Sequence, residues 1–128
     1  MGSKVLIVDD QESVREVLAE CLELGGYEPF LASNGNEGLR QLYEHRPDLV
    51  ITDMRMPGMD GYEFCRLIRN TCSVPIIMLT GLAEAAPDVP GLNLVDAFIA
   101  KPVKIYELLA QVAVLLSDGR RIGEGVSV

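Results

Sequence analysis

No apolar run in this sequence approaches the roughly 18 residues that a membrane-spanning helix requires, so the chain reads as soluble. Its start, "MGSKVLIV", has neither a long hydrophobic signal core nor the Ser or Thr at position six that N-myristoylation uses. A cytoplasmic location is the expectation. Soft metal ligands are also scarce: there is one histidine, His45, expected at the surface at a helix end, and the three cysteines, Cys21, Cys65 and Cys72, form no Cys-x-x-Cys pair. An odd number of cysteines without secretory features reads as reduced thiols. Positive charge is short as well. Lys and Arg total 11 against 19 Asp and Glu, a formal net charge of −8, and the Arg120-Arg121 pair is too small a cluster to neutralise a phosphate backbone. Direct DNA binding by this chain is not expected.

What remains is a chain of 128 residues, 48% apolar and 23% charged, enough for one globular domain with one core. That domain is expected over 1–118, with 119–128, "GRRIGEGVSV", as a flexible tail or the start of a linker. Short apolar runs alternate with helical periodicity, which predicts an α/β protein with a parallel sheet. Strands are expected at Lys4–Val8, Tyr27–Ala32, Leu49–Thr52, Ile76–Leu79 and Ala97–Ala100. In the first helix Val14, Val17, Leu18, Cys21 and Leu22 form an inward stripe that ends at Gly25-Gly26. A second helix is expected over Asn36–His45 and a third from Asp60, whose carboxylate caps it while Glu63 reaches back. The last is expected over Lys104–Ser117. Between residues 81 and 96 Pro87, Pro90 and Gly91 interrupt the pattern, so the helix due there is expected to be short or irregular.

Right-handed crossovers would place the carboxyl ends of all five strands along one edge. Four of those ends, the first, third, fourth and fifth, carry the polar groups of interest: Asp9 and Asp10, Asp53, Thr80, and Lys101 before Pro102. Ligands of open α/β sheets bind outside that edge. Three carboxylates at close range repel unless one is protonated or a hard cation lies among them, and Mg²⁺ suits an all-oxygen donor set that keeps positions open for water and phosphate. A metal, a lysine, a hydroxyl and a carboxylate nucleophile together describe phosphoryl transfer to an aspartate. Asp53 is the expected acceptor because it stands alone at the end of a central strand, leaving Asp9 and Asp10 to hold the ion. Pro57-Gly58 fits a type II turn, which would bring the backbone carbonyl near residue 55 back toward that ion.

At these residues the sequence resembles the receiver domain of two-component response regulators, over 4–117. The resemblance lies in "VLIVDDQ", "DLVITDMRMPGMDGYEF", "PIIMLTG" and "AFIAKP", which occur in order at family-like spacing. It implies a single doubly wound, five-stranded parallel sheet of order 2-1-3-4-5 with helices on both faces. It implies Asp53 as phosphoacceptor and Asp9, Asp10 and Asp53, with the Arg55 carbonyl, as ligands of Mg²⁺ or, in substitution, Mn²⁺. Lys101 would be the phosphate partner, Thr80 and Phe98 the switch pair, and Lys101-Pro102 a cis peptide. The donor would be a phosphohistidine on a histidine kinase or phosphotransfer protein, docked through Gln11, Val14 and Arg15. Arg55 and Leu82 match positions that tune dephosphorylation, and a slow turnover is the expectation. The output partner or effector stays unnamed, and the state would be a monomer or a phosphorylation-dependent dimer. Beyond self-phosphorylation and autodephosphorylation, no enzyme activity is implied.

Two other readings compete. A pseudo-receiver would bind partners without phosphorylation, although such domains usually lose an acid or the lysine, and this chain keeps the set. A dehalogenase-like phosphatase would place a second Asp two residues past the nucleophile, where this chain has Arg55.

Overall fold

The computed structural model describes residues 2–81 and 92–125, with 92 and 118–125 as backbone alone. Five strands, β1 (Lys4–Val8), β2 (Glu28–Ala32), β3 (Leu49–Asp53), β4 (Ile76–Thr80) and β5 (Ala97–Ala100), form one parallel sheet in the order β2-β1-β3-β4-β5. The crossovers carry α1 (Glu12–Leu24), α2 (Gly35–His45) and α3 (Gly61–Arg69), and α4 (Ile105–Gly125) follows the last strand. Most of the helix expected between β4 and β5 falls on residues 82–91, which lie outside the described residues. The described part of that crossover holds a 3₁₀ turn at Leu92–Leu94.

Because neighbouring strand residues point to opposite faces, the apolar runs divide cleanly between two cores. Val5, Ile7, Ile51, Ile77, Leu79 and Ile99 meet Leu18 and Leu22 of α1 and Leu108, Val112 and Leu116 of α4. Leu6, Val8, Val50, Ile76 and Met78 meet Leu42 of α2 and Phe64, Cys65 and Ile68 of α3. The sheet is thus covered on both sides, which is why its strands read as unbroken hydrophobic runs. Burial pushes the Cys65 thiol up to about 12.

Local signals account for the element ends. Asp60 caps α3, its carboxylate accepting from Glu63 N at 2.8 Å, and Asn34 caps α2 by accepting from Glu37 N at 2.8 Å. Gly26 has φ +88 after α1, and Gly58 has φ +78, the sign that the second central residue of a type II turn requires. Gly61 is a matter of space: a Cβ there would overlap the Asp53 carbonyl oxygen and stand 2.8 Å from Met54 Cα. At the opposite end of the sheet from Asp53, the Asp96 carboxylate accepts from Ile76 N at 2.8 Å and from Arg69 at 3.0 Å, tying together α3 and the starts of β4 and β5.

Three expectations are corrected. Val17, placed on the inward stripe of α1, is 58% exposed, because the sheet-facing arc of α1 is narrow and is filled by Leu18 and Leu22. His45, expected at the surface, is half-buried and stacks on Phe30 with ring centroids 4.2 Å apart. The last helix, expected over Lys104–Ser117, continues in its backbone to Gly125. The buried apolar residues of α4 include Leu108, Val112 and Leu116, and the helical backbone runs on past them.

Candidate functional site

The site is assembled by register. β1 and β3 are adjacent at the centre of the sheet, with Val8 opposite Thr52, so Asp9 and Asp53 emerge side by side. Asp53 pairs with Leu79 and Thr80 with Ala100, and Lys101 N donates to the Thr80 carbonyl at 2.7 Å. The reversal of strand order between β1 and β3 opens the crevice in which such sheets bind ligands.

The three aspartates converge. A carboxylate oxygen of each of Asp9, Asp10 and Asp53 lies within 4.8 Å of the others; Asp9 and Asp53 are buried and Asp10 is exposed. Lys101 Nζ stands 3.0 Å from Asp53 Oδ2 and 3.8 Å from Asp9 Oδ2. Asp9 Oδ1 accepts from Gln11 N at 2.9 Å, whereas Asp9 Oδ2 is buried with no hydrogen-bond partner. Burial foremost, and then the neighbouring charges of Asp53 and Asp10, hold the Asp9 carboxyl above the usual carboxylate range; the Gln11 N–H and Lys101 pull the other way. An all-oxygen cluster with an orphaned buried carboxylate oxygen fits a hard divalent cation.

Thr80 Oγ1 is likewise buried without a hydrogen-bond partner. Thr80 follows Met78 by two residues and Met78 pairs with Phe98, so Thr80 and Phe98 share the sheet face covered by α2 and α3. Phe98 is half-buried against that core. The Lys101-Pro102 peptide is cis.

Arg55 is exposed and, with Met54, Met56, Pro57, Asp60 and Tyr62, lines a cavity of about 650 Å³. Met56 is buried, and Met54 and Met59 pack against the α2–α3 core. Leu82 lies outside the described residues. Gln11 is exposed at the start of α1, and Val14 lines a smaller groove of about 290 Å³ with Ser13, Val17, Leu18, Lys101, Pro102 and Val103. Val17, Pro102 and Val103 were not expected as site residues. An apolar residue on a helix signals either core or contact surface, and only the fold separates the two. Arg15, expected at the docking surface, is half-buried, and its Nη1 donates to the Asp9 carbonyl at 2.7 Å.

A five-stranded, doubly wound sheet with three aspartates, a threonine and a lysine along its carboxyl edge has the architecture of a phosphoacceptor switch. The response regulator receiver domain profile matches residues 5–113, and the chain belongs to that family, a signalling component of two-component systems rather than an ordinary enzyme. It is 44% identical over 114 residues to the "Probable transcriptional regulator ycf27" of Guillardia theta, covering 88% of this chain and 45% of that protein. The Pyropia yezoensis protein of the same name is 39% identical, covering 98% and 52%. The chain thus spans about half the length of the curated relatives it matches. Among solved structures, the signal receiver domain of a signal transduction histidine kinase from Syntrophus aciditrophicus is 39% identical at a TM-score of 0.85, covering 94% of each chain. A receiver domain protein from Clostridium thermocellum superposes at a TM-score of 0.87 with 28% identity, covering 94% of this chain and 98% of that one. Among the described residues no helix is long and apolar enough to cross a membrane.

Proposed function

We propose that this chain is the phosphoacceptor switch of a two-component or phosphorelay pathway, with Asp53 as the acceptor. The observation that carries this reading is the placement of Asp53: a nearly buried carboxylate 3.0 Å from Lys101 and in one cluster with Asp9 and Asp10. An Asp53 oxygen attacks the phosphorus of a phosphohistidine in line. The P–O bond forms as the P–N bond breaks, and the imidazole leaves with a proton. Lys101 then exchanges its carboxylate partner for phosphoryl oxygens, and the Thr80 hydroxyl gains the acceptor it lacks. Movement of Thr80 toward that oxygen opens space on its own sheet face, which Phe98 is placed to fill, altering the surface of β5 and α4. Mg²⁺, or Mn²⁺ in its place, would be held by Asp9, Asp10, Asp53 and the Arg55 carbonyl, and supplies charge neutralisation at the phosphoryl oxygens.

The donor would be a histidine kinase or phosphotransfer protein docking over Gln11, Val14 and the exposed edge of Arg15. The apolar groove of Val14, Val17, Pro102 and Val103 supports that placement because it runs up to Lys101. The output partner would read the β5–α4 surface, as a monomer or a phosphorylation-dependent dimer in the cytoplasm. With a net charge of −8, this chain would leave DNA contact to other parts of its pathway.

Incubation with acetyl phosphate and Mg²⁺ tests the reading by intact mass. Wild type should gain one phosphoryl group and Asp53→Asn none. A wild type that stays unmodified, with no amide shifts on adding beryllofluoride, would favour a pseudo-receiver. A second outcome concerns Arg55, an exposed residue two positions beyond the acceptor. Arg55→Ala should shorten the phosphoryl half-life severalfold by opening a path for water, and a half-life that lengthens would remove Arg55 from turnover control.

A further inference from the structure

The β1–α1 loop has to hold Asp9 and Asp10 against their mutual repulsion, and three hydrogen bonds do so on the Asp9 side. Asp9 N donates to the Ala32 carbonyl at 3.1 Å, Gln11 N donates to Asp9 Oδ1 at 2.9 Å, and Arg15 Nη1 donates to the Asp9 carbonyl at 2.7 Å. The third is the only one of these made by a side chain from outside the loop. It fixes the peptide plane that joins Asp9 to Asp10, and so sets where the exposed Asp10 begins.

Arg15 lies at an unfavourable place for a cation, in the first turn of α1, where the helix dipole favours negative charge. Its guanidinium is nonetheless half-buried and turned to the loop instead of reaching into solvent.

We infer that Arg15 is a positioning residue for divalent-cation binding: its guanidinium latches the Asp9–Asp10 peptide so that both carboxylates face the site. This inference rests on the acidic cluster being a cation site. It gives Arg15 a role at the site itself beside the docking contact proposed above, and it applies to phosphorylation by small donors as well as by proteins. Groups that orient metal ligands through hydrogen bonds commonly change metal affinity by about 10–100-fold when removed.

The test is a calorimetric titration of the whole chain with Mg²⁺ alone, paired with thermal unfolding in its absence. Arg15→Ala and Arg15→Met should each bind Mg²⁺ about tenfold more weakly or worse. The Met variant keeps the side-chain stem and removes only the donors, so it decides the matter if the Ala variant folds poorly. Arg15→Lys, which restores a donor, should recover part of the loss. Faster amide exchange at Asp10 and Gln11 in the metal-free Met variant, with an unchanged melting temperature, separates loop positioning from general stability. A folded Arg15→Met protein within twofold of wild-type affinity would overturn the latch and leave the cation site standing. A wild type that takes up no Mg²⁺ would overturn both.

Discussion

Lys101→Ala is expected to accept phosphate from acetyl phosphate about 100–1,000-fold more slowly than wild type, the usual consequence of removing one preorganised charge from a transition state. Lys101 is the cation that the structure brings onto Asp53, at 3.0 Å, and it reaches Asp9 at 3.8 Å. Its removal therefore has two effects. The phosphoryl oxygens lose a positive partner in the transition state, and two buried carboxylates lose their counter-ion in the resting state. The second effect should appear as a lower melting temperature without Mg²⁺, partly restored by adding it. A time course of intact mass at fixed acetyl phosphate and Mg²⁺ measures the first. A rate within tenfold of wild type would mean that Lys101 does not act on the phosphoryl group, whatever its ion pair does for stability.

The second large effect belongs to Asp9 and has opposite signs with and without metal. Asp9 Oδ2 is buried without a hydrogen bond, a situation that costs roughly 1–3 kcal/mol. Asp9→Asn removes the charge while its Oδ1 can still accept from Gln11 N, and Lys101 keeps Asp53. The metal-free variant should therefore be more stable than wild type at neutral pH by about 1–3 kcal/mol. Its Mg²⁺ affinity should fall at least tenfold, so that saturating Mg²⁺ stabilises wild type and not the variant. The pH dependence follows from the direction of the shift. Because the folded state holds the Asp9 proton more tightly than the unfolded state, the metal-free protein loses stability as pH rises from the ordinary range near 3.8 into the raised range. Above that range the loss is complete. Mg²⁺ competes with the same proton, so its affinity should rise over the same interval. Denaturant melts at several pH values check both signs, and a metal-free Asp9→Asn protein less stable than wild type at pH 7 would refute the account.

Much of this site is legible in the sequence because the residues concerned sit at strand ends. A strand that is buried on both faces must be apolar to its last residue, so Asp9, Asp53, Thr80 and Lys101 stand out against what precedes them. The parallel topology then leaves one edge on which they can meet. The Asp60 cap and the Gly58 turn are equally local, and the structure has both. Val17 and Arg15 were not legible, and for one reason. Helical periodicity reports how often a side chain faces a given direction but not how wide the buried arc is. Val17 therefore looks like core, and Arg15 looks like part of a docking surface. The direction of the Arg15 guanidinium depends on a carbonyl six residues earlier, whose position exists only once the loop has formed. The length of α4 escapes a hydrophobic reading for a related cause, since its last turns are held by backbone bonds that leave no apolar pattern.

The clamp at Asp96 has a mechanical consequence. β5 is four residues long, roughly 13 Å, and its start is bound through Asp96 to both β4 and α3, while its far end carries Lys101 at the acidic edge. β5 is paired with β4 up to the bond from Lys101 N to the Thr80 carbonyl, and at the Asp96 end it is tied to a helix as well. A displacement begun at Lys101 would therefore be largest at that end and would fall off toward Asp96.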